Sequence, residues 1–253
     1  LAARMGDTVY LSVRNGLDSV CAERREGSYP IRTCTLDVGQ RRPMGAGAGS
    51  LALLAALPEI EARMIIEKKM PAPRTAIVYP TYVCNQDCLW CEYNAENTNK
   101  DLDRVMSKES LFKLCDDLHA LGVRGVEFCG GGEPTLHPHL AELVRKMKAQ
   151  GTSIGLLTNG TKLKGELASA LVDCASYVRV GFDGATPETA NRVKRPKTPE
   201  ARFEAVCENI VAMLALRCER GTGARISIKV VLDSNNYHEV EECVRVAIRL
   251  GVD

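Results

Sequence analysis

Three cysteines stand close together in Cys84-Asn85-Gln86-Asp87-Cys88-Leu89-Trp90-Cys91. Thiolates are soft ligands, and a short loop bearing three of them can converge on one inorganic centre, an iron–sulfur cluster or zinc. A structural zinc site wants four protein ligands. No fourth Cys or His lies near, since Cys115, His119 and Cys129 fall in other segments. Three thiolates would leave one iron of a 4Fe-4S cube open, and an open metal position is a catalytic feature.

A second chemistry-bearing segment is Phe128-Cys129-Gly130-Gly131-Gly132-Glu133-Pro134. Glycines let a ligand approach the backbone closely and reach its amide and carbonyl groups. Leu157-Thr158-Asn159-Gly160 and Arg179-Val180-Gly181-Phe182-Asp183-Gly184 follow in order. Each segment ends or follows a strand candidate. The strand candidates are 75–79, 125–129, 153–158, 177–183 and 225–232. Alternation puts Arg179, Gly181 and Asp183 on one face and Val178, Val180 and Phe182 on the other. The apolar set should meet helices and the polar set a lumen. Ser227 and Lys229 should likewise face inward.

Helical periodicity fills the gaps. Leu111, Leu114, Leu118 and Leu121 share a face behind Ser107, an N-cap type. Leu140, Leu143, Val144 and Met147 make the next helix, stopped by Gly151. A weaker pattern spans 163–171. Phe203, Val206, Ile210 and Leu214 follow Thr198-Pro199, read as a cap with proline at the first helical position. Val240, Val244, Ala247 and Ile248 form the last helix, stopped by Gly251. Repeated βα units imply a parallel sheet with helices outside. Five units are visible, and a sixth strand is expected beyond Asp253.

Residues 1–69 have another texture. Val9, Leu11 and Val13 alternate before Asn15-Gly16, a hairpin signal, and 17–23 answers as a second strand. A flexible 45–49 precedes helices at 50–57 and 59–69, and Pro71 to Pro73 reads as a linker.

The motifs after Pro73 resemble the radical S-adenosylmethionine superfamily. The cysteine spacing is its Cys-x3-Cys-x-aromatic-Cys pattern, with Trp90 as the aromatic residue, and Gly131-Gly132-Glu133-Pro134 matches its Gly-Gly-Glu-Pro motif. The resemblance implies a partial (β/α)6 barrel over 70–253, with Cys84, Cys88 and Cys91 holding a catalytic 4Fe-4S cluster. It implies S-adenosyl-L-methionine bound by Trp90, Gly131, Gly132, Glu133, Pro134, Thr158, Asn159, Asp183 and Arg195. Gly131, Gly132 and Glu133 would hold the methionyl amino group. Arg195 is favoured over Lys194 for the methionyl carboxylate. Many relatives carry serine where Gly181 stands. The implied chemistry is reductive cleavage to a 5′-deoxyadenosyl radical that takes hydrogen from a peptide or cofactor precursor. It needs a flavodoxin- or ferredoxin-type electron donor.

Residues 1–66 resemble another family. Gly6 to Val13, Arg32 through Arg42-Pro43-Met44, and Ala48 to Ala55 are similar to the first half of an IclR-type effector domain, a GAF-like α+β module of transcriptional regulators. An alternative function is therefore a redox- or effector-sensing fusion that uses the cluster without turnover. A join of neighbouring genes, with Met70 as the start of the enzyme portion, also accounts for the pairing.

Charge excludes one class. There are 33 basic and 32 acidic residues, a net charge of +1, without the basic excess of a nucleic-acid binder. The uncharged run between Pro43 and Pro58 is shorter than the roughly 20 residues a bilayer span needs. The expected compartment is the cytoplasm, where eleven cysteines argue for metal ligation before disulfides. Cys115, Cys207, Cys218 and Cys243 sit in helical patterns and are expected to be small buried apolar residues.

Overall fold

The computed structural model describes residues 2–28, 36–69, 73–93 and 103–253. Cys34, part of the Arg32–Met44 stretch, Met70 and most of the Pro71–Pro73 linker lie outside the described residues. The chain divides into two compact units, Leu1–Ala72 and Pro73–Asp253.

The first unit contains α1 (Ala2–Met5), β1 (Val9–Asn15), β2 (Asp18–Arg25), β3 (Arg41–Pro43), α2 (Ala48–Ala55) and α3 (Glu59–Lys69). Its three strands form an antiparallel sheet in the order β1-β2-β3. Asn15 pairs with Asp18 across a tight turn in which Gly16 takes φ 65°, so the hairpin signal and the turn coincide. The apolar side of β1 stays half open, because Leu11 and Val13 are exposed while the buried cluster is small: Met44, Leu54 and Ile65. β3 was not anticipated. Arg-Arg-Pro has no strand periodicity, and it is recruited by pairing with Asp18–Val20 of β2.

The second unit contains β4 (Thr75–Val78), α4 (Lys108–Ala120), β5 (Gly125–Phe128), α5 (Leu140–Ala149), β6 (Ser153–Thr158), α6 (Gly165–Cys174), β7 (Tyr177–Gly181), α7 (Pro187–Lys194), α8 (Phe203–Arg220), β8 (Arg225–Lys229) and α9 (Val240–Leu250). The five strands are parallel and lie in sequence order, β4-β5-β6-β7-β8. Side chains alternate between faces. Val78, Val126, Phe128, Ile154, Leu156, Val178, Val180 and Ile226 are buried against Leu111, Leu143, Met147, Leu171, Ile210 and Val246 of the helices. Burial of each such side chain stabilises by about 1.5–3 kcal/mol, so this layer fixes which face is inside. A one-residue slip of β7 would bury Arg179 in place of Val178 or Val180.

Two local expectations are corrected, and one helix is added. The 177–183 strand ends at Gly181, because Asp183 takes a left-handed φ of 55° and its carboxylate accepts the Val231 amide instead. Thr198-Pro199 starts only a 3-10 turn, Pro199–Ala201; α8 begins at Phe203, and the Thr198 side chain caps nothing. The segment carrying Lys194 is a helix, α7. Its start is capped: Thr186 accepts from the Thr189 amide and Pro187 fills the first turn. Among the helical cysteines, Cys115 and Cys243 are buried, Cys207 is half-buried, and Cys218 is exposed at the end of α8. No described helix is long and apolar enough to cross a membrane.

Candidate functional site

The described residues around Cys84, Cys88 and Cys91 form no helix or strand. The cysteine loop is held instead by three neighbours. Next to it lies the glycine segment after β5. The Gly132 amide donates to the Thr81 carbonyl at 2.9 Å and the Glu133 amide to the Val83 carbonyl at 2.8 Å. A Cβ on Gly132 would sit 2.2 Å from the Val83 carbonyl oxygen, so only glycine permits this approach.

The second neighbour is the end of β6. Asn85 donates to the Thr161 hydroxyl at 2.9 Å and accepts from the Asn159 side-chain amide at 2.8 Å. The third is the end of α7. The Asp87 amide donates to the carbonyls of Lys194 and Arg195, and the Leu89 amide to that of Val193 at 3.0 Å. Lys197 donates its amide to the Asn85 carbonyl at 3.0 Å and its ammonium to the Cys84 carbonyl at 3.3 Å. Gln86, buried, donates to the Ala201 carbonyl at 2.9 Å.

The expected site residues fall into two sets. Cys84, Cys88, Cys91, Gly132, Glu133, Pro134, Thr158, Asn159 and Asp183 line one cleft, together with Lys194, Arg179 and Lys229. Gly131 lines an adjoining cavity on the β4 side, again with the three cysteines. Trp90 lies on the cysteine loop but in neither lining. Arg195 is also turned away from the cleft. Its Nε donates to the Asp87 carbonyl at 2.6 Å, and its guanidinium lies 3.6 Å from the Asp87 carboxylate, so it staples the cysteine loop.

Lys194, the neighbouring cation, does line the cleft. Its ammonium is buried and lies 2.8 Å from the Asp183 carboxylate. A Cβ on residue 181 would come within 3.0 Å of that ammonium, which is a reason for glycine there. Burial alone would lower the Lys194 pKa, but the charges of Asp183 and Cys88 outweigh it and hold the ammonium above the usual lysine range.

Glu133 is buried and fully engaged. One oxygen accepts from the Thr135 amide and hydroxyl and from the Thr158 hydroxyl, the last at 2.6 Å; the other accepts from the Asn159 amide at 2.6 Å. The carboxylate therefore ties the β5 and β6 ends together. Asn85, Gln86, Asp87, Thr161 and Lys197 complete the site and were not singled out from sequence. Three of them lie between the cysteines, where a polar residue next to a ligand is the available signal.

The three thiols suit a multinuclear centre. Among the described residues, no three His, Cys, Asp or Glu side chains gather tightly enough for a single metal ion. The cysteines nonetheless line one cleft, as a cube with iron at separate corners requires. Burial pushes the Cys88 thiol up to about 11, against the pull of Lys194, and burial likewise raises Cys84. Ligation must supply the charge that stabilises these thiolates.

Comparison with known proteins points to one superfamily. The family model of the radical SAM superfamily matches residues 78–247. A tungsten-containing aldehyde ferredoxin oxidoreductase cofactor-modifying protein of Pyrococcus furiosus is 31% identical over 173 residues, 67% of this chain and 47% of that protein. A PqqA peptide cyclase of Ruegeria pomeroyi is 27% identical over 186 residues, 73% of this chain and 46% of its own. The chain thus spans about half the length of these relatives. Streptococcus suis SuiB bound to S-adenosylmethionine superposes with a TM-score of 0.60 at 16% identity, covering 82% of this chain and 45% of SuiB. The anSMEcpe structure with bound AdoMet gives a TM-score of 0.55 at 22% identity over 71% of this chain and 50% of its own. At such identities the likeness shows the fold.

Proposed function

The chain belongs to the radical SAM superfamily, and on that premise we propose that it cleaves S-adenosyl-L-methionine reductively and abstracts hydrogen from a peptide or cofactor precursor. The observation that carries the reading is the gathering of Cys84, Cys88, Cys91, Gly132, Glu133 and Asp183 around one cleft. A 4Fe-4S cluster with S-adenosylmethionine supplies, when bound, the electron transfer and the 5′-deoxyadenosyl radical. This chain's residues do the rest. Cys84, Cys88 and Cys91 are the ligands.

What fixes the loop is the set of hydrogen bonds described above, from Gly132, Glu133, Asn159, Thr161 and residues 193–197.

Gly131 and Gly132 offer backbone groups to the methionyl end, with Pro134, Thr158, Asn159 and Asp183 around them and Trp90 on the loop. Lys194, rather than Arg195, is the cation placed to meet the methionyl carboxylate, because it lines the cleft. A flavodoxin- or ferredoxin-type donor and a cytoplasmic location belong to the same reading, supported by the need for a low-potential electron and by free thiols. The IclR-type resemblance of residues 1–66 is a separate proposal. It is supported only by the residues quoted for it, and the family match begins at residue 78.

The test is anaerobic reconstitution, which should load about four irons per chain for one cluster, followed by 5′-deoxyadenosine formation with dithionite. Cys88→Ala should abolish the product. Cys115→Ala, on the buried face of α4, should retain it. Product formation by the Cys88 variant at the parent rate would overturn the reading.

A further inference from the structure

The inner face of the sheet carries two cations that no acid answers. On the adjacent strands β7 and β8, Arg179 pairs with Ser227 and Gly181 with Lys229, so Arg179, Ser227 and Lys229 share one face. Arg179 and Lys229 line the same cleft as the three cysteines.

The acids nearby are already committed. Glu133 accepts from Thr135, Thr158 and Asn159. Asp183 is paired with Lys194. Glu127, on the same sheet face, accepts from the Tyr177 hydroxyl. Arg179 stands over the Tyr177 ring, 5.2 Å from its centroid. That contact orients the guanidinium plane and leaves its N–H fork available. Among the described residues, neither Arg179 nor Lys229 has a side-chain hydrogen bond or an ion pair.

Resting on the enzyme reading above, we infer that Arg179 and Lys229 form a subsite for a single carboxylate, and that the substrate is a peptide with an acidic side chain. A planar fork beside a point charge suits a carboxylate. Glu127 lies on the same face and opposes the several charges of a polyphosphate. On the reading proposed above, the cosubstrate's own carboxylate meets Lys194, which lines the same cleft.

The probes are a blocked pentapeptide with one central glutamate among glycines, its glutamine and lysine counterparts, and GTP. Each is titrated calorimetrically into the reconstituted chain loaded with S-adenosylmethionine. The glutamate peptide should bind about tenfold tighter than the glutamine one. That preference should vanish in Arg179→Gln and in Lys229→Gln, and Arg179→Glu should shift it toward the lysine peptide. Equal binding of the glutamate and glutamine peptides, binding of neither, or tighter binding of GTP would overturn the inference. So would an equal loss of S-adenosylmethionine affinity in both variants, which would assign the cations to the cosubstrate. The peptide arm needs no turnover. A parent chain that prefers the glutamate peptide but makes no deoxyadenosine would refute the enzyme reading, and with it the peptide's role as substrate, and leave the carboxylate subsite standing.

Discussion

Lys194→Met should destabilise the second unit strongly, and Asp183→Asn should relieve much of that loss. The two groups are 2.8 Å apart, with side chains 10% and 4% exposed, so neither charge has water as an alternative partner. Removing the lysine leaves the Asp183 carboxylate with the Val231 amide as its remaining donor. Breaking a buried pair from one side costs about 3–5 kcal/mol, whereas replacing both partners is often near neutral. The double variant should therefore be more stable than Lys194→Met alone, with a coupling of about 2 kcal/mol or more. The raised Lys194 pKa fixes the pH window. A group raised on folding contributes fully below its unfolded pKa, about 10.4 for lysine, and loses that contribution as pH rises through the folded value. The penalty should thus be constant across neutral pH and shrink only in strong alkali. The assay is urea unfolding of the cluster-free chain, followed by fluorescence of Trp90, the one tryptophan, which sits on the cysteine loop. A loss below about 1 kcal/mol, or single effects that add in the double variant, would refute the reasoning.

Glu133→Gln should lower the unfolding free energy of the cluster-free chain by about 2–3 kcal/mol, because an amide nitrogen would face a donor that the carboxylate now accepts; unchanged stability with weakened S-adenosylmethionine binding would instead mark Glu133 as a direct ligand. Glu239→Gln should cost about 1–2 kcal/mol at neutral pH, since that carboxylate accepts from the Ala185 and Thr186 amides and the Thr186 and Thr189 hydroxyls at the start of α7. Burial raises the Glu239 pKa, but these hydrogen bonds outweigh it and the net shift is downward. Its contribution is present above the unfolded carboxyl pKa and lost as pH falls through the folded value, so the gap between parent and variant in acid denaturation should close at low pH.

The order of the sheet and its buried face were legible because β-periodicity and burial coincide. Val178 and Val180 alternate with Arg179 and Gly181, and the valines are fully buried. The cysteine loop and the glycine segment were legible because their residue types have few other uses at that spacing. α7 was hidden because Pro187–Lys194 is polar, with only Thr189, Ala190, Val193 and Lys194 buried. Its cap, Thr186-Pro187, is a two-residue signal. β3 was hidden for the opposite reason: nothing local favours a strand at Arg41–Pro43, and pairing with β2 makes it one.

The different placements of Lys194 and Arg195 follow from how α7 ends. Arg195 takes a left-handed φ of 45°, which closes the helix as its amide reaches the Asn191 carbonyl. That turn separates two adjacent cations. Lys194, still helical, points its ammonium at Asp183, while Arg195 is carried round to Asp87. Sequence shows two neighbouring cations and a choice between them; only the backbone at residue 195 decides which one reaches the cleft. The same turn brings the carbonyls of Val193, Lys194 and Arg195 to the amides of Asp87 and Leu89. One helix end therefore positions both the loop bearing the thiols and the cation beside them, and a change that straightens residue 195 should disturb the two together.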